Sequence, residues 1–450
     1  FAGPSISPAY LGVGYIIGPT VAALNFAGGV LAWGLLVPLL IFFLGPQIGN
    51  ALPHDAPVDS WDGLATSVWR FIVRPIAVGG MLVGACYTLF RMRKNLFGGL
   101  SRAFRELKGP QAGAQETRRT ERYMTSKTVF GLIGLVFLAM VAVYIYFAGV
   151  KAGIVAAIVM LVAGFFFATV SGYLVGMIGS SNNPISGLTL STLIVAALLM
   201  VALGVAGSSG VIAVLAVAAV VCVSAAVAGE LLQDFKVGYI LGGTPRTIQI
   251  VELIAVVVAS FVMYFPLLAL HENNIKQGGI GFGDPKLSAP QAGLMAALAQ
   301  GIVGGDMPWA LVGVGVLMGL AMVMLQVRSP MLVSVGMYLP LGTTFAIFVG
   351  GMIRWLTDSL GVKRGLNEAQ TTRVTNVGIL VASGFIAGEG LMGLVTATIR
   401  YFDWHMPEFL TIPSYYVGLG VAVVMAWVLV RLPLKNAGDP NEPAPPAAMM

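Results

Sequence analysis

Charge is scarce in this sequence. Only 10% of its 450 residues are Asp, Glu, Lys or Arg, against roughly a quarter in an average soluble domain. Two cysteines, Cys86 and Cys222, stand alone in apolar runs without C-x-x-C spacing, which excludes a disulfide framework and a zinc knuckle. The three histidines, His54, His271 and His405, are dispersed and form no H-E-x-x-H pair. A G-x-S-x-G elbow and a G-x-x-x-x-G-K-[ST] loop are also missing, so nucleophilic hydrolysis and ATP hydrolysis have no signature here. No motif for a resident cofactor or metal takes their place.

Apolar length is what the sequence has instead. It is 57% hydrophobic with a mean hydropathy of +0.89, and runs of about 20 apolar residues recur, the length that spans a bilayer core. The runs are continuously apolar rather than alternating, which argues against a membrane β-barrel. The fold expected is an all-α polytopic membrane protein with about 11–12 transmembrane or re-entrant helices. Membrane segments are predicted at 8–44, 68–90, 128–149, 153–179, 185–204, 210–228, 247–270, 291–304, 308–327, 330–356, 374–399 and 413–433. Segment 8–44 is long enough for one kinked or two short passes, and 291–304 is short enough for a re-entrant arm.

The net charge of +6 has a local origin. Residues 91–127 hold ten Lys or Arg against three Glu, a net +7. Such a loop is a cytoplasmic topology determinant and not a nucleic-acid surface. Lys236, Arg246, Lys363, Arg364 and Arg373 fall on the same side when passes are counted from it. The chain thus divides into residues 1–90 (the remnant of a first membrane half), the basic loop 91–127, a longer membrane domain 128–434 and a Pro/Ala-rich tail 435–450 expected to be disordered.

An internal repeat organises the membrane segments. SPAYLGVGYIIGPTVAALNFAGGVLAW (7–33) aligns without a gap on SPMLVSVGMYLPLGTTFAIFVGGMIRW (329–355), with eight identities in 27 at an offset of 322. Ser-Pro, Val-Gly, Phe, Gly-Gly and Trp coincide, residues that are not interchangeable apolar filler. At a changed offset, Gly80 and Gly84 match Gly384 and Gly388. Two related halves are a mark of secondary transporters, though channels share it. Some 200 residues of membrane segments precede the second copy and six precede the first, so the first half is expected to lack its opening helices. Pass counting leaves parallel and inverted halves both open.

Polar residues inside apolar runs are the candidate site. SSNNPISG (180–187) interrupts two apolar stretches, and Pro184 both removes a donor and biases Asn183 away from helix. It reads equally as a capped loop at the membrane face or as a helix break at depth. Glu389 lies about midway along 374–399, where a carboxylate faces a cavity, finds a partner or takes up a proton. Gly384, Gly388, Gly390 and Gly393 surround it, which permits close helix contact. The matched position in the first half is Ala85. Glu252 stands near the start of 247–270, and Asp306 reads as a helix N-cap before Pro308.

Five stretches in order carry a resemblance to the oligopeptide transporter family, which includes the yellow-stripe-like metal-chelate transporters. They are SPAYLGVGYIIGP (7–19), GSSNNPISGLTLST (179–192), LLQDFKVGYILGGTPRTIQI (231–250), LSAPQAGLMAALAQGI (287–302) and SGFIAGEGLMG (383–393). The prokaryotic branch is the most similar, and the chain matches the C-terminal two-thirds of a full-length member. The resemblance implies secondary, proton-coupled import of small peptides or peptide-like metal chelates across a bacterial inner membrane, with 91–127 cytoplasmic. A passive channel or pore is the alternative. The resemblance further implies binding roles for Asn182, Asn183, Pro184, Ser186 and Glu389; Ser181 is expected to line the same substrate site, and Glu389 and Glu252 are expected to respond to protons. Peptide-branch members read Asn-Pro-Gly where this chain has Asn183-Pro184-Ile185, a departure that keeps a chelate cargo open.

Overall fold

A computed structural model describes residues 7–47, 52, 60–84, 86–87, 90–91, 119–178, 185–284, 287, 289–305, 308–402 and 415–443. These are helical with no strand among them, and eight helices are long and apolar enough to cross a membrane. In chain order we number Pro8–Leu44 (α1), Trp61–Gly84 (α2), Ser126–Ile178 (α3), Ile185–Ala202 (α4), Gly207–Leu241 (α5), Pro245–Lys276 (α6), Pro290–Gly304 (α7), Trp309–Met324 (α8), Pro330–Tyr338 (α9), Leu341–Lys363 (α10), Glu368–Tyr401 (α11) and Tyr415–Lys435 (α12). The all-α polytopic membrane class is therefore the class found.

Two compact units share these helices. The first comprises Phe1–Gly84, Pro266–Ser288 and Trp309–Ala448, and the second Ala85–Phe265 and Ala289–Pro308. In the second unit α3 packs along α5, which also carries α4 and α7. Val170, Leu188 and Ala225 form a buried cluster there, with Phe166 and Phe167 against it. The run Ser126–Ile178 has one non-helical residue, Gly149 (φ 77°), between the two segments expected from the sequence.

The repeat dominates the first unit. Each copy opens on the same device: Ser7 accepts from Tyr10 N and Ser329 from Leu332 N, with proline at the first helical position, the favoured start for a helix. Each copy then breaks at nearly the same aligned place, one residue apart. In the first, Gly18 sits at φ 81°, ψ 168°, ahead of Pro19, a conformation that strains any side chain but glycine's. In the second, Leu339 turns extended (φ −79°, ψ 152°) ahead of Pro340, as the residue before a proline tends to do. The continuous pass expected over 330–356 is thus two half-helices, and Pro340 is the physical reason.

The two copies cross antiparallel through glycine. Gly14 lies against the Ile347 carbonyl and the Gly350 Cα, while Gly28 lies against the Val333 carbonyl and the Gly336 Cα. The contacts are reciprocal: Gly336 meets the Asn25 carbonyl and Gly350 the Leu11 carbonyl. At the offset of 322, Gly14 and Gly336 are equivalent, as are Gly28 and Gly350, Asn25 and Ile347, Leu11 and Val333. Phe26 stacks on its own equivalent, Phe348, at 4.8 Å. A local two-fold axis relates the copies, so the orientation that sequence counting left open is inverted. Flanking helices follow the same pattern: Gly84 of α2 packs on Met331 of α9, and Gly12 of α1 packs on Ala382 of α11.

Candidate functional site

Breaking a helix frees carbonyls at the end of its first half, and in an apolar setting each needs a donor. In the first copy these are Tyr15 O and Ile16 O, which accept from Arg354 Nη1 at 3.3 and 3.1 Å. In the second copy the equivalent carbonyls are Met337 O and Tyr338 O. They accept from Trp69 Nε1 at 3.0 Å and Arg74 Nε at 3.3 Å. One arginine therefore serves each break, where the partial negative charge of a helix C-terminus favours a cation. Arg354 is further held by Asp358, 3.7 Å away.

The opposite charge gathers at the start of α1. Glu389 of α11 accepts from Ser7 Oγ at 2.7 and 2.9 Å and from Ala9 N at 2.6 Å. Ser7 in turn caps Tyr10 N, so a carboxylate and a hydroxyl together satisfy the first turn of the half-helix. A cavity of about 480 Å³ opens beside it, lined by Pro8, Phe385, Glu389, Met392, Thr396 and Met425 with three glycines. Gly384, Gly388, Gly390 and Gly393 have no neighbouring atom within 4 Å of a built Cβ. Among the described residues, no neighbour uses the close approach that these glycines permit. Among these, Gly384, Gly388 and Gly393 give the cavity its width.

The remaining sequence candidates are placed as follows. Ser181, Asn182, Asn183, Pro184 and Asp306 lie outside the described residues. Ser186 falls in the first turn of α4, which begins at Ile185, directly after Pro184. Glu252 of α6 is in the second unit, facing Asp234 and Glu230 of α5. A second cavity of about 480 Å³ lies between α3 and α5, lined by Thr169, Tyr173, Leu231 and Leu232 among others. No group of three metal-ligating side chains occurs among the described residues. Of the tail expected over 435–450, Ala437, Asp439, Glu442 and Pro443 offer carbonyls to Arg373 of α11.

Sequence reasoning passed over Arg74, Arg354 and Ser7. Part of the signal was available for the arginines: each is a cation within a largely apolar span, Trp61–Gly84 or Leu341–Lys363, with Arg70 or Asp358 one turn away, and charged residues inside such spans are functional candidates by default. Ser7 needed the fold, because its carboxylate partner is 382 residues away.

The profile of the OPT oligopeptide transporter protein family matches residues 3–400. A Haemophilus influenzae protein named for oligopeptide transport is 30% identical over 427 residues, covering 87% of this chain and 65% of its own length. A rice protein named for metal-nicotianamine transport is 24% identical over 425 residues, covering 88% of this chain and 59% of its own. A Saccharomyces cerevisiae protein named for oligopeptide transport is 24% identical over 456 residues, covering 86% and 57%. The chain thus spans less than two-thirds of the length of these relatives. No solved structure matches it.

Proposed function

Because the chain belongs to the OPT oligopeptide transporter family, we propose that it works as a secondary transporter in a bacterial inner membrane, importing oligopeptides or peptide-like metal chelates with protons by alternating access. The observation that carries this reading is the antiparallel crossing of two helices broken at nearly equivalent positions. Inverted repeats with discontinuous helices put binding groups near the middle of the bilayer and let one repeat rock against the other. SSNNPISG, with Ser181, Asn182, Asn183, Pro184 and Ser186, supplies polar groups to the pathway in this reading.

Glu389 is the proton-responsive group. Its carboxylate accepts three close contacts from Ser7 and Ala9 at the positive end of a half-helix. A proton on it removes the charge that end stabilises and turns one acceptor oxygen into a donor. The grip on the start of α1 then loosens, and α1 is one of the two crossing helices. Glu252 is a second acid for the same duty, through its contact with Asp234.

Uptake into proteoliposomes with an imposed pH gradient tests this. Wild type should accumulate trialanine or nickel–nicotianamine against its concentration gradient, and Glu389→Gln should equilibrate it without responding to pH. Unchanged gradient dependence in E389Q refutes the proton role. Unsaturable flux at channel rates refutes the carrier.

A further inference from the structure

The two halves share a scaffold but not their charges. At the offset that matches Gly80 and Gly84 to Gly384 and Gly388, Arg74 corresponds to Gly378 and Ala85 to Glu389. The anion belongs to one half only, and so does this cation.

Arg74 is an unbalanced charge. Its Nε bonds Tyr338 O, and its Cζ sits 4.3 Å from the centre of the Trp69 ring and 4.4 Å from that of Tyr338. Aromatic faces and a carbonyl stabilise a guanidinium without neutralising it. Among the described residues no carboxylate lies within ion-pair range, and the charged neighbour is Arg70, one turn earlier. Arg354, at the equivalent break, has Asp358 as well as two carbonyls. Among the described residues the outer edge of the Arg74 fork, Nη1 and Nη2, has no acceptor, and the residue is half-buried.

A second donor stands unpaired beside it. Trp33, whose ring centre is 5.0 Å from that of Trp69, has its Nε1 buried and, among the described residues, without an acceptor. Trp33 and Trp69 both belong to π-helical turns, Leu31–Leu36 and Trp69–Val73. Such turns cost helical regularity and recur at functional sites. Spare guanidinium N–H groups, a spare indole N–H and a local positive charge together call for an anionic acceptor with two oxygens in one plane.

We propose that Arg74 anchors a carboxylate of the transported molecule, with its Nη1–Nη2 edge making a bidentate pair and Trp33 Nε1 donating to the same group. This rests on the transport reading above and narrows the cargo to molecules bearing a free terminal carboxylate. Planar fork geometry is what distinguishes such a site from a general attraction for anions. Arg74 also positions the second break through Tyr338, so loss of binding alone would not separate the two roles.

The test uses paired probes on the purified protein: trialanine against trialanine amide, and dialanine against dialanine amide. Calorimetric titration should show wild type binding at least one free-carboxylate form tenfold or more tightly than its blocked counterpart. Arg74→Lys, which keeps the charge but not the fork, should bring that ratio close to one and leave affinity for the blocked form unchanged. Trp33→Phe, which leaves the Tyr338 contact intact, should lower the ratio severalfold even if R74K does not fold. A ratio near one in wild type, or one preserved in both variants, overturns the proposal. Proteoliposome uptake is read separately. No uptake with the ratio intact would sink the transport reading and keep the carboxylate site, whereas uptake with a ratio of one would do the reverse.

Discussion

The reciprocal glycine crossing makes a quantitative demand on stability. A Cβ added to Gly14 would fall inside the contact radius of the Ile347 carbonyl oxygen and 3.0 Å from the Gly350 Cα. Both obstacles are backbone, so no side-chain rotation relieves them, and the helices must separate until ordinary contact near 3.4 Å is regained. In a membrane, helix association depends on close packing, because lipid is as apolar as a leucine side chain. Overpacking of this kind costs about 1–3 kcal/mol, offset by less than about 1 kcal/mol of improved helix propensity. Gly14→Ala should therefore lower the midpoint of thermal unfolding in detergent by several degrees. Gly336→Ala meets the Asn25 carbonyl in the equivalent way and should cost the same to within about 0.5 kcal/mol. Gly384→Ala, with nothing within 4 Å, should be neutral or slightly stabilising. Intrinsic fluorescence on a temperature ramp reads all three. If G384A proves as harmful as G14A, or G14A and G336A differ by more than about 1.5 kcal/mol, the two-fold crossing is wrong.

Two other perturbations follow from named contacts. Arg354→Gln removes the charged donor to Tyr15 O and Ile16 O and leaves Asp358 without its cation. The same thermal assay should show a loss of about 2–4 kcal/mol, since bonds to charged groups are worth roughly 1.5–3 kcal/mol each; a change below about 1 kcal/mol would mean that water already serves the break. Arg373→Ala releases the carbonyls of Ala437, Asp439, Glu442 and Pro443. Limited proteolysis should then cut within 437–443 at least tenfold faster, while the unfolding midpoint moves little; an unchanged rate would show that Asn367 and Gln370, which bond Pro440 and Gly438, hold the segment alone.

The helices were legible because lipid permits so few alternatives: apolar length is enough to predict a span. The repeat was legible because Ser-Pro, Gly-Gly and Trp survive in both copies where interchangeable apolar residues have drifted. Its orientation was not, since one miscounted pass reverses the answer, whereas antiparallel contacts between Gly14 and Gly350 decide it directly. Glu389 stood out as a lone carboxylate in an apolar run, but its partners Ser7 and Ala9 could be found only in three dimensions. The glycines around it permit close packing without compelling it, so the sequence alone did not say whether a helix lies against them. Arg74 and Arg354 illustrate the converse: the donors for a broken helix can be named only once the break is placed, and Pro340 had been absorbed into an unbroken apolar run.

A crossing that maps onto itself under a half-turn has no intrinsic top or bottom. If the copies were identical, rocking about the axis would interchange two arrangements of equal free energy, each populated half the time. Arg74 without a mate in the second half, and Glu389 without one in the first, remove that degeneracy. In the transport cycle proposed above, a proton or a bound anion would need to supply only a small difference to favour one arrangement, because about 1.4 kcal/mol already shifts the populations tenfold. The duplicated backbone makes the balance nearly even, and the two unduplicated charges are the weights placed on it.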